Sequence, residues 1–189
     1  MTNILKKLTM LAAATLLGAC ASAVLPSGQS QSISPWKTFG EAKNAYDSIT
    51  PHHTMRADLH KLGYDPGTVP NLSIFNYVDI MNKFGSVMDK NDLPDGMQSC
   101  LKARDNCTGY VARVQNLNHQ RIGSVPKDLL GFGQKTMTTG WAFESTIVMV
   151  GDTVVYKLWS GTPDIETYEK KSTPLGPLQQ LGGAIPKPF

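Results

Sequence analysis

The strongest constraint in this chain is a pair of β-rich runs separated by two turn residues. From 139 to 150, one face of an extended strand would carry Trp141 and Phe143 with Ser145, Ile147 and Met149, while the intervening residues form the other face. Gly151-Asp152 follows, and then a second β-branched and aromatic run over 153–159. Two such runs joined by a Gly-Asp pair predict a β-hairpin.

Residues 108–117 alternate in the same way and predict a further strand, which with the hairpin makes a three-stranded antiparallel β-meander. The connection over 118–138 is rich in glycine and holds three large apolar residues, Leu129, Leu130 and Phe132. A connection this long is usually either functional or disordered.

Four short helices are predicted before the meander. Thr38 and Glu41 have capping-box spacing, and Ala42, Ala45, Tyr46 and Ile49 then follow the helical period. Thr54 and Asn76 are expected to cap a second and a third helix, and Pro94 to open a fourth. The predicted fold is therefore α+β, with N-terminal short helices packed on one face of a three-stranded antiparallel meander.

The first twenty residues have the pattern of an export signal. Lys6 and Lys7 precede an apolar run over 8–18, and small residues lead to Cys20. The run is too short for a permanent membrane span, which needs roughly 20 apolar residues. Residues 1–19 are therefore excluded from the predicted fold.

Leu17-Gly18-Ala19-Cys20 resembles the bacterial lipobox, in which the cysteine thiol receives a diacylglycerol before cleavage. The resemblance implies a lipidated Cys20, with covalent diacylglycerol and acyl chains and no other cofactor. Two or more acyl chains anchor a protein stably to a bilayer. Ala21 in place of aspartate implies, by similarity to Gram-negative sorting, the outer membrane with the domain facing the periplasm. An ordinary signal peptide that contains a cysteine is the alternative.

The segments on either side of the predicted domain are small, polar or proline-rich. Residues 20–34 predict a lipidated flexible tether, 35–161 a single α+β domain, and 162–189 a disordered Pro/Gly-rich tail outside the fold. The 18 Lys and Arg residues include Lys6 and Lys7, so the mature chain carries 16 basic side chains against 15 acidic ones. This balance gives no indication of a nucleic-acid partner.

Cys100 and Cys107 form an even pair in a chain with an export signal, which predicts a disulfide. Two free buried thiols are the alternative. A Cys-His hydrolase would require the disulfide to be absent and one of these thiols to lie near His119.

No motif carries catalytic chemistry. The chain has neither a GxSxG elbow nor a Walker loop around Gly131-Phe132-Gly133. A zinc site needs three or four converging ligands, whereas the histidines at 52, 53, 60 and 119 are expected to be separate surface residues. We expect no catalytic residue and no metal, and hence a protein that is not an enzyme.

Surface contact is the remaining role. Trp141 and Trp159 are expected either to pack across the hairpin or to form an exposed patch that binds a partner. Leu129, Leu130 and Phe132 either form an apolar lip for protein or membrane contact or pack on the domain itself. These five residues are the predicted partner-binding candidates.

The chain resembles the SmpA/OmlA group of small outer-membrane lipoproteins over about half of its mature length. The resemblance is carried by 49–55, by Leu59 to Pro66 and by the hairpin 141–159; it departs at Pro51-His52-His53 and in the extra segment 70–106. It implies a non-enzymatic accessory of the machine that inserts β-barrel proteins. The predicted function is an envelope scaffold or protein-docking module. The alternative is a periplasmic binding or inhibitor module for a small ligand, a peptidoglycan fragment or a secreted enzyme.

Overall fold

The structure is a computed structural model that describes residues 27–84, 92–124, 128 and 132–173. These residues form an α+β fold with an antiparallel sheet. In chain order the elements are β1 (Ser27–Gln31), α1 (Phe39–Asp47), α2 (Arg56–Lys61), β2 (Leu72–Asn76), α3 (Tyr77–Phe84), α4 (Asp95–Ala103), a 3-10 turn (Arg104–Asn106), β3 (Cys107–Arg121), β4 (Gly133–Val150) and β5 (Thr153–Ser172). None of the helices within these ranges is long and apolar enough to cross a membrane.

Side-chain caps explain where two of the helices begin. The Thr38 hydroxyl accepts the Glu41 N–H at 3.2 Å, and the Glu41 carboxylate accepts the Lys37 N–H at 2.6 Å. At α3, Asn76 Oδ1 accepts the N–H groups of Val78 and Asp79, and Asp79 in turn accepts the Asn76 N–H. The predicted starts of both helices are confirmed.

The cap predicted for α2 is wrong. The Thr54 hydroxyl accepts the Thr50 N–H at 2.8 Å, across the turn that precedes the helix. The carboxylate of Asp58 instead accepts the Met55 N–H at 3.4 Å. Because the Thr54 hydroxyl is used by the turn that precedes the helix, the Asp58 carboxylate, in the first turn of α2, caps the helix instead.

The sheet has five strands rather than the three predicted. Four of them follow the order β1-β3-β4-β5, and β2 also pairs with β3. β2 is antiparallel to β3, with a register from Leu72↔Ala112 to Asn76↔Thr108. The sequence analysis missed β1 because it is polar, and missed β2 because it continues without a break into α3. β4 and β5 are neighbours joined by residues 151–152, as the hairpin prediction requires, and Gly151 supplies the positive φ of that turn.

Both ends of the predicted domain are corrected. Residues 27–31, assigned to the flexible tether, form β1, and residues 162–172, assigned to the tail, belong to β5. Strand pairing stabilises these polar segments although they carry no apolar period of their own. Pro163 is compatible with this position because β5 is the last strand in the sheet order. The remainder of the tether and tail, and the signal peptide, lie outside the described residues.

Two hydrophobic clusters form on the sheet. Phe143, Ile147 and Met149 of β4 pack in one cluster with Tyr46 of α1 and Leu59 of α2. Val148, whose side chain alternates with theirs, packs in the other cluster, which includes residues of α3 and α4: Ile80, Met97 and Cys100. Alternate positions of one strand point to opposite faces, so helices cover both faces of the sheet rather than one.

The chain divides into two compact units. Among the described residues, the larger unit contains 29–118 and 139–166, with the gap at 85–91. The smaller unit contains Ser27, Gly28 and the described residues of 119–138 and 167–173. The two are treated separately below.

Candidate functional site

Among the predicted contact residues of the 118–138 loop, the structure describes Phe132. Its side chain is 45% exposed, and its carbonyl accepts the Thr173 N–H at 3.0 Å. Leu129 and Leu130 lie outside the described residues. An apolar lip at this position therefore stays a prediction, and Phe132 is the one of its three residues whose exposure is described.

Trp141 and Trp159 belong to an aromatic cluster in the larger unit. Trp159 of β5 stacks on Phe143 of β4 with ring centroids 5.8 Å apart and an interplanar angle of 16°. Phe39 of α1 contacts Trp141 and Trp159 edge-on at 6.5 and 6.0 Å. Trp159 thus packs across the hairpin while it keeps 37% of its surface exposed, and Trp141 packs against α1.

Two lysines flank this cluster. Lys43 Nζ lies 4.8 Å from the centroid of the Trp159 ring and forms an ion pair with Asp47 at 2.6 Å. Lys157 Nζ lies 4.4 Å from the Tyr46 centroid and donates to the carbonyls of Tyr46 and Asp47, at the C-terminal end of α1. Burial lowers the pKa of Lys157, against the favourable field of Asp47. Lys43 therefore pairs with the Asp47 carboxylate, whereas Lys157 is held by the main-chain carbonyls at the end of α1.

A second charged group lies on the opposite sheet face. Glu144 of β4 accepts from Lys83 of α3 at 2.6 Å and from Arg113 of β3 at 3.0 Å. Partial burial alone would raise the pKa of Glu144, but the hydrogen bonds and charges of Lys83 and Arg113 outweigh it and hold the pKa below its ordinary value. Two cations thus share one carboxylate. Lys83 and Leu158 line one open recess beside Glu144, and Arg113 lines another.

Arg56 fixes the start of α2 to the hairpin turn. It donates to Asp152 Oδ1 at 2.8 Å, to the Tyr110 hydroxyl at 2.9 Å and to the Gly151 carbonyl at 2.9 Å. Burial would lower the pKa of Arg56, but its hydrogen bonds to Asp152 and Tyr110 raise it. All of its partners belong to the fold, so this is a structural group.

The cysteines and histidines offer little chemistry. Cys100 and Cys107 are joined as a disulfide with Cα atoms 4.9 Å apart, as the pairing predicts. His52 has a positive φ of 67° and donates its N–H to the Val154 carbonyl, while His119 Nδ1 lies 2.9 Å from Thr138 Oγ1. In the described part of the chain, no three His, Cys, Asp or Glu side chains are placed to hold a metal ion. Cys20 lies outside that part.

The sequence analysis missed the apolar surface of β2 and α3. Ile74 is 61% exposed, and Val78 and Met81 are exposed one helical turn apart. Of the adjacent residues Ile80 and Met81 in α3, only Ile80 is buried. The sequence analysis did not predict β2, and α3 begins directly where β2 ends. Without that strand, the placement of α3, and hence which of its faces is exposed, could not be predicted.

The smaller unit carries several cations. Lys135 Nζ lies 5.3 Å from the centroid of the Tyr168 ring, and Arg121 pairs with Asp128 at 2.6 Å. Lys135, Lys170 and Lys171 line one open recess. A second, polar recess is lined by residues that include His119, Arg121 and Glu169.

No protein-family model, curated protein or solved structure matches this chain. The resemblance to the SmpA/OmlA group therefore stays a prediction from the residues that carry it.

Proposed function

We propose that this chain is a non-enzymatic bacterial outer-membrane lipoprotein that docks another protein of the cell envelope. In this proposal Cys20 carries the acyl chains, and the α+β domain, with its helices on the β3-β4-β5 meander, presents contact surfaces on the periplasmic side. An SmpA/OmlA-like accessory role in an assembly machine is the form of this function that the sequence resemblance favours.

The observation that carries the proposal is the distribution of exposed apolar side chains. Large hydrophobic residues are exposed on β2 at Ile74, on α3 at Val78 and Met81, at Phe132 and on β5 at Leu158. Val78 and Met81 are neighbours on one face of α3, and adjacent exposed apolar side chains are typical of protein or membrane contact sites. The recess beside Leu158 is open, and its charged groups, Lys83 and Glu144, form an ion pair with each other.

The test is an affinity pull-down of the acylated full-length protein from membranes, read by mass spectrometry. The matched variants are Cys20→Ser, which removes the acyl anchor, and Val78→Ser/Met81→Ser, which makes the exposed face of α3 polar. Lys37→Ser/Lys102→Ser is the control for two exposed changes elsewhere. We expect a defined envelope complex with the acylated protein, less of it with Cys20→Ser, and a loss with the α3 variant.

A ligand-binding module is the second candidate, favoured by the polar recess that includes His119, Arg121 and Glu169. In that case neither acylated nor Cys20→Ser protein would recover a complex. Peptidoglycan fragments added to the purified protein would instead shift the NMR signals of His119 and Thr138.

A further inference from the structure

The short chain between Cys20 and β1 limits how far the start of the sheet can lie from a membrane anchor. β1 begins at Ser27, so residues 21–26 connect it to the cysteine that carries the acyl chains in the proposed function. At about 3.3–3.6 Å per residue, the seven steps from Cys20 to Ser27 span at most about 25 Å. Ser27 therefore stays close to the bilayer that holds the acyl chains.

Ser27 belongs to the smaller unit, together with the described residues of 119–138 and 167–173. β1 is the neighbour of β3 in the sheet order, and Ser27 lines a recess with His119 and Arg121, at the C-terminal end of β3. The chain from Cys20 therefore enters the described fold at the smaller unit. It is the distance of this unit from the acyl chains that residues 21–26 limit directly.

The same unit carries a patch of exposed lysine and aromatic side chains. Phe132 and Tyr168 are 45% and 54% exposed. Lys135, Lys170 and Lys171 are also exposed, and they line one open recess with Phe132. Lys135 Nζ lies 5.3 Å from the centroid of the Tyr168 ring. These five side chains thus form one surface, called the lysine–aromatic patch below.

The net charge of this unit is opposite in sign to that of the larger unit. Its described residues include Arg121 and the three lysines of the patch, against Asp128 and Glu169. Asp128 lies in the same recess as the lysines, but Arg121 neutralises it in an ion pair at 2.6 Å. Glu169 lines the recess of His119 instead. The described residues of the larger unit carry nine basic side chains against twelve acidic ones. An anionic surface would therefore attract the smaller unit and repel the larger one.

The side chains of the patch match the chemistry of a membrane surface. Aromatic residues are enriched at the membrane–water interface, and lysines lay their apolar stems on apolar groups while the ammonium stays among water and headgroups. Lysines next to an anionic leaflet are attracted to it within about one Debye length, about 8–10 Å at moderate salt. Because the chain from Cys20 is short, the patch meets the bilayer at a high effective concentration.

We propose that the lysine–aromatic patch is a second membrane contact, in which Phe132 and Tyr168 enter the interface and the three lysines bind phosphates of anionic lipids. The lipids belong to the leaflet that holds the acyl chains. This inference rests on the proposed function, because it needs an acylated Cys20. It assigns Phe132 to the membrane and leaves the exposed residues of β2 and α3 for a protein partner. The patch thereby orients the smaller unit, which a flexible chain alone would leave free to rotate.

Photo-crosslinking to lipid tests the contact in the acylated protein, reconstituted in phosphatidylcholine vesicles with and without cardiolipin. The photoreactive residue p-benzoylphenylalanine, which inserts into C–H bonds of nearby acyl chains, replaces Phe132 or Tyr168. Ile74, which is 61% exposed on β2 in the larger unit, is the matched control position. In vesicles with cardiolipin, we expect adducts with the added mass of one phospholipid at positions 132 and 168 and none at 74.

A charge variant tests the lysines of the patch. Lys135→Gln/Lys170→Gln/Lys171→Gln should lower the yield of lipid adduct at position 132 at least about threefold in vesicles with cardiolipin. Added salt should lower the same yield in protein that keeps its lysines. The salt effect needs no lysine variant, so it does not depend on whether the variant folds.

The matched control for charge is Lys37→Gln/Lys61→Gln/Lys102→Gln, which removes three exposed lysines of the larger unit and should leave the yield unchanged. Equal yields with and without cardiolipin would overturn the binding of anionic lipid. Protein whose mass confirms the acyl chains but which gives no adducts at 132 and 168, or equal adducts at 74, would overturn the membrane contact and leave the proposed function standing. Protein whose mass shows no acyl chain on Cys20 would overturn both.

Discussion

Arg56 and Asp152 are joined at 2.8 Å although 96 positions separate them in the chain. This contact holds the first turn of α2 against the tight turn between β4 and β5. The same guanidinium reaches the Tyr110 hydroxyl on β3, so one side chain connects the helical layer to three strands.

Replacing Arg56 is therefore expected to destabilise the fold. Arg56→Met removes one partly exposed ion pair, which is worth about 0–1 kcal/mol, and leaves the Gly151 carbonyl and the Tyr110 hydroxyl without this donor. We expect a loss of about 1–3 kcal/mol in the free energy of unfolding, measured in urea. Lys61→Met, which breaks the exposed pair with Asp58, is the control and should change it by less than about 0.5 kcal/mol. Equal effects would contradict the structural role of Arg56.

The disulfide is expected to contribute to stability because it crosslinks the end of α4 to the start of β3 within a buried cluster. Reduction, or the double change Cys100→Ala/Cys107→Ala, should lower the free energy of unfolding by about 2–3 kcal/mol. The Cys20→Ser protein provides the background, since all of its remaining thiols should then be oxidised. A titration that finds two free thiols in the folded protein would refute the pairing.

Gly96, the second residue of α4, is expected not to tolerate a side chain. A Cβ on Gly96 would overlap the Val155 carbonyl of β5, where helix and strand approach closely. Gly96→Ala should destabilise by about 1–3 kcal/mol in spite of its better helix propensity. Gly40 occupies the same position in α1, and its nearest neighbour to an added Cβ is Thr38 Oγ1 at 3.9 Å. Gly40→Ala should be neutral or stabilise by up to about 1 kcal/mol, so thermal melting should show a lower midpoint for Gly96→Ala and an equal or higher one for Gly40→Ala.

The stability of the fold should depend on the ionisation of Glu144. Partial burial opposes its charge, but Lys83 and Arg113 hold its pKa in the folded protein below the ordinary value. The stabilisation is therefore present above the unfolded pKa of about 4.3 and is lost as the pH falls through the lower folded pKa. The difference in unfolding free energy between wild type and Glu144→Gln should be constant near neutral pH and shrink in acid. A difference that does not change with pH would show that these ion pairs contribute nothing.

The parts of the fold that the sequence predicted are those with a strong local signal. Alternation at 141–149 and the Gly151-Asp152 turn predicted the hairpin, and the caps at Thr38 and Asn76 predicted two helix starts. β1 and the second half of β5 carry no such signal. These segments are extended because they pair with a neighbouring strand, not because of an alternating pattern of their own. The covering of both sheet faces was also missed, since alternation shows that a strand has two faces but not which helix covers each.

The candidate site was predicted less completely for a related reason. Trp159 was named from its place on the predicted hairpin, and its packing on Phe143 lies within that hairpin. Its contacts with Phe39 and Lys43, however, depend on residues more than 100 positions away.

The long separation between helices and hairpin also sets the order in which this protein can acquire structure. Lys157 contacts the end of α1 across 110 residues, and Tyr46 and Leu59 bury their side chains against Phe143 and Met149. A ribosome adds roughly 5–20 residues per second. For on the order of ten seconds, then, the nascent N-terminal half has no hairpin on which to fold, and it depends during that interval on whatever keeps an unfinished chain from aggregating.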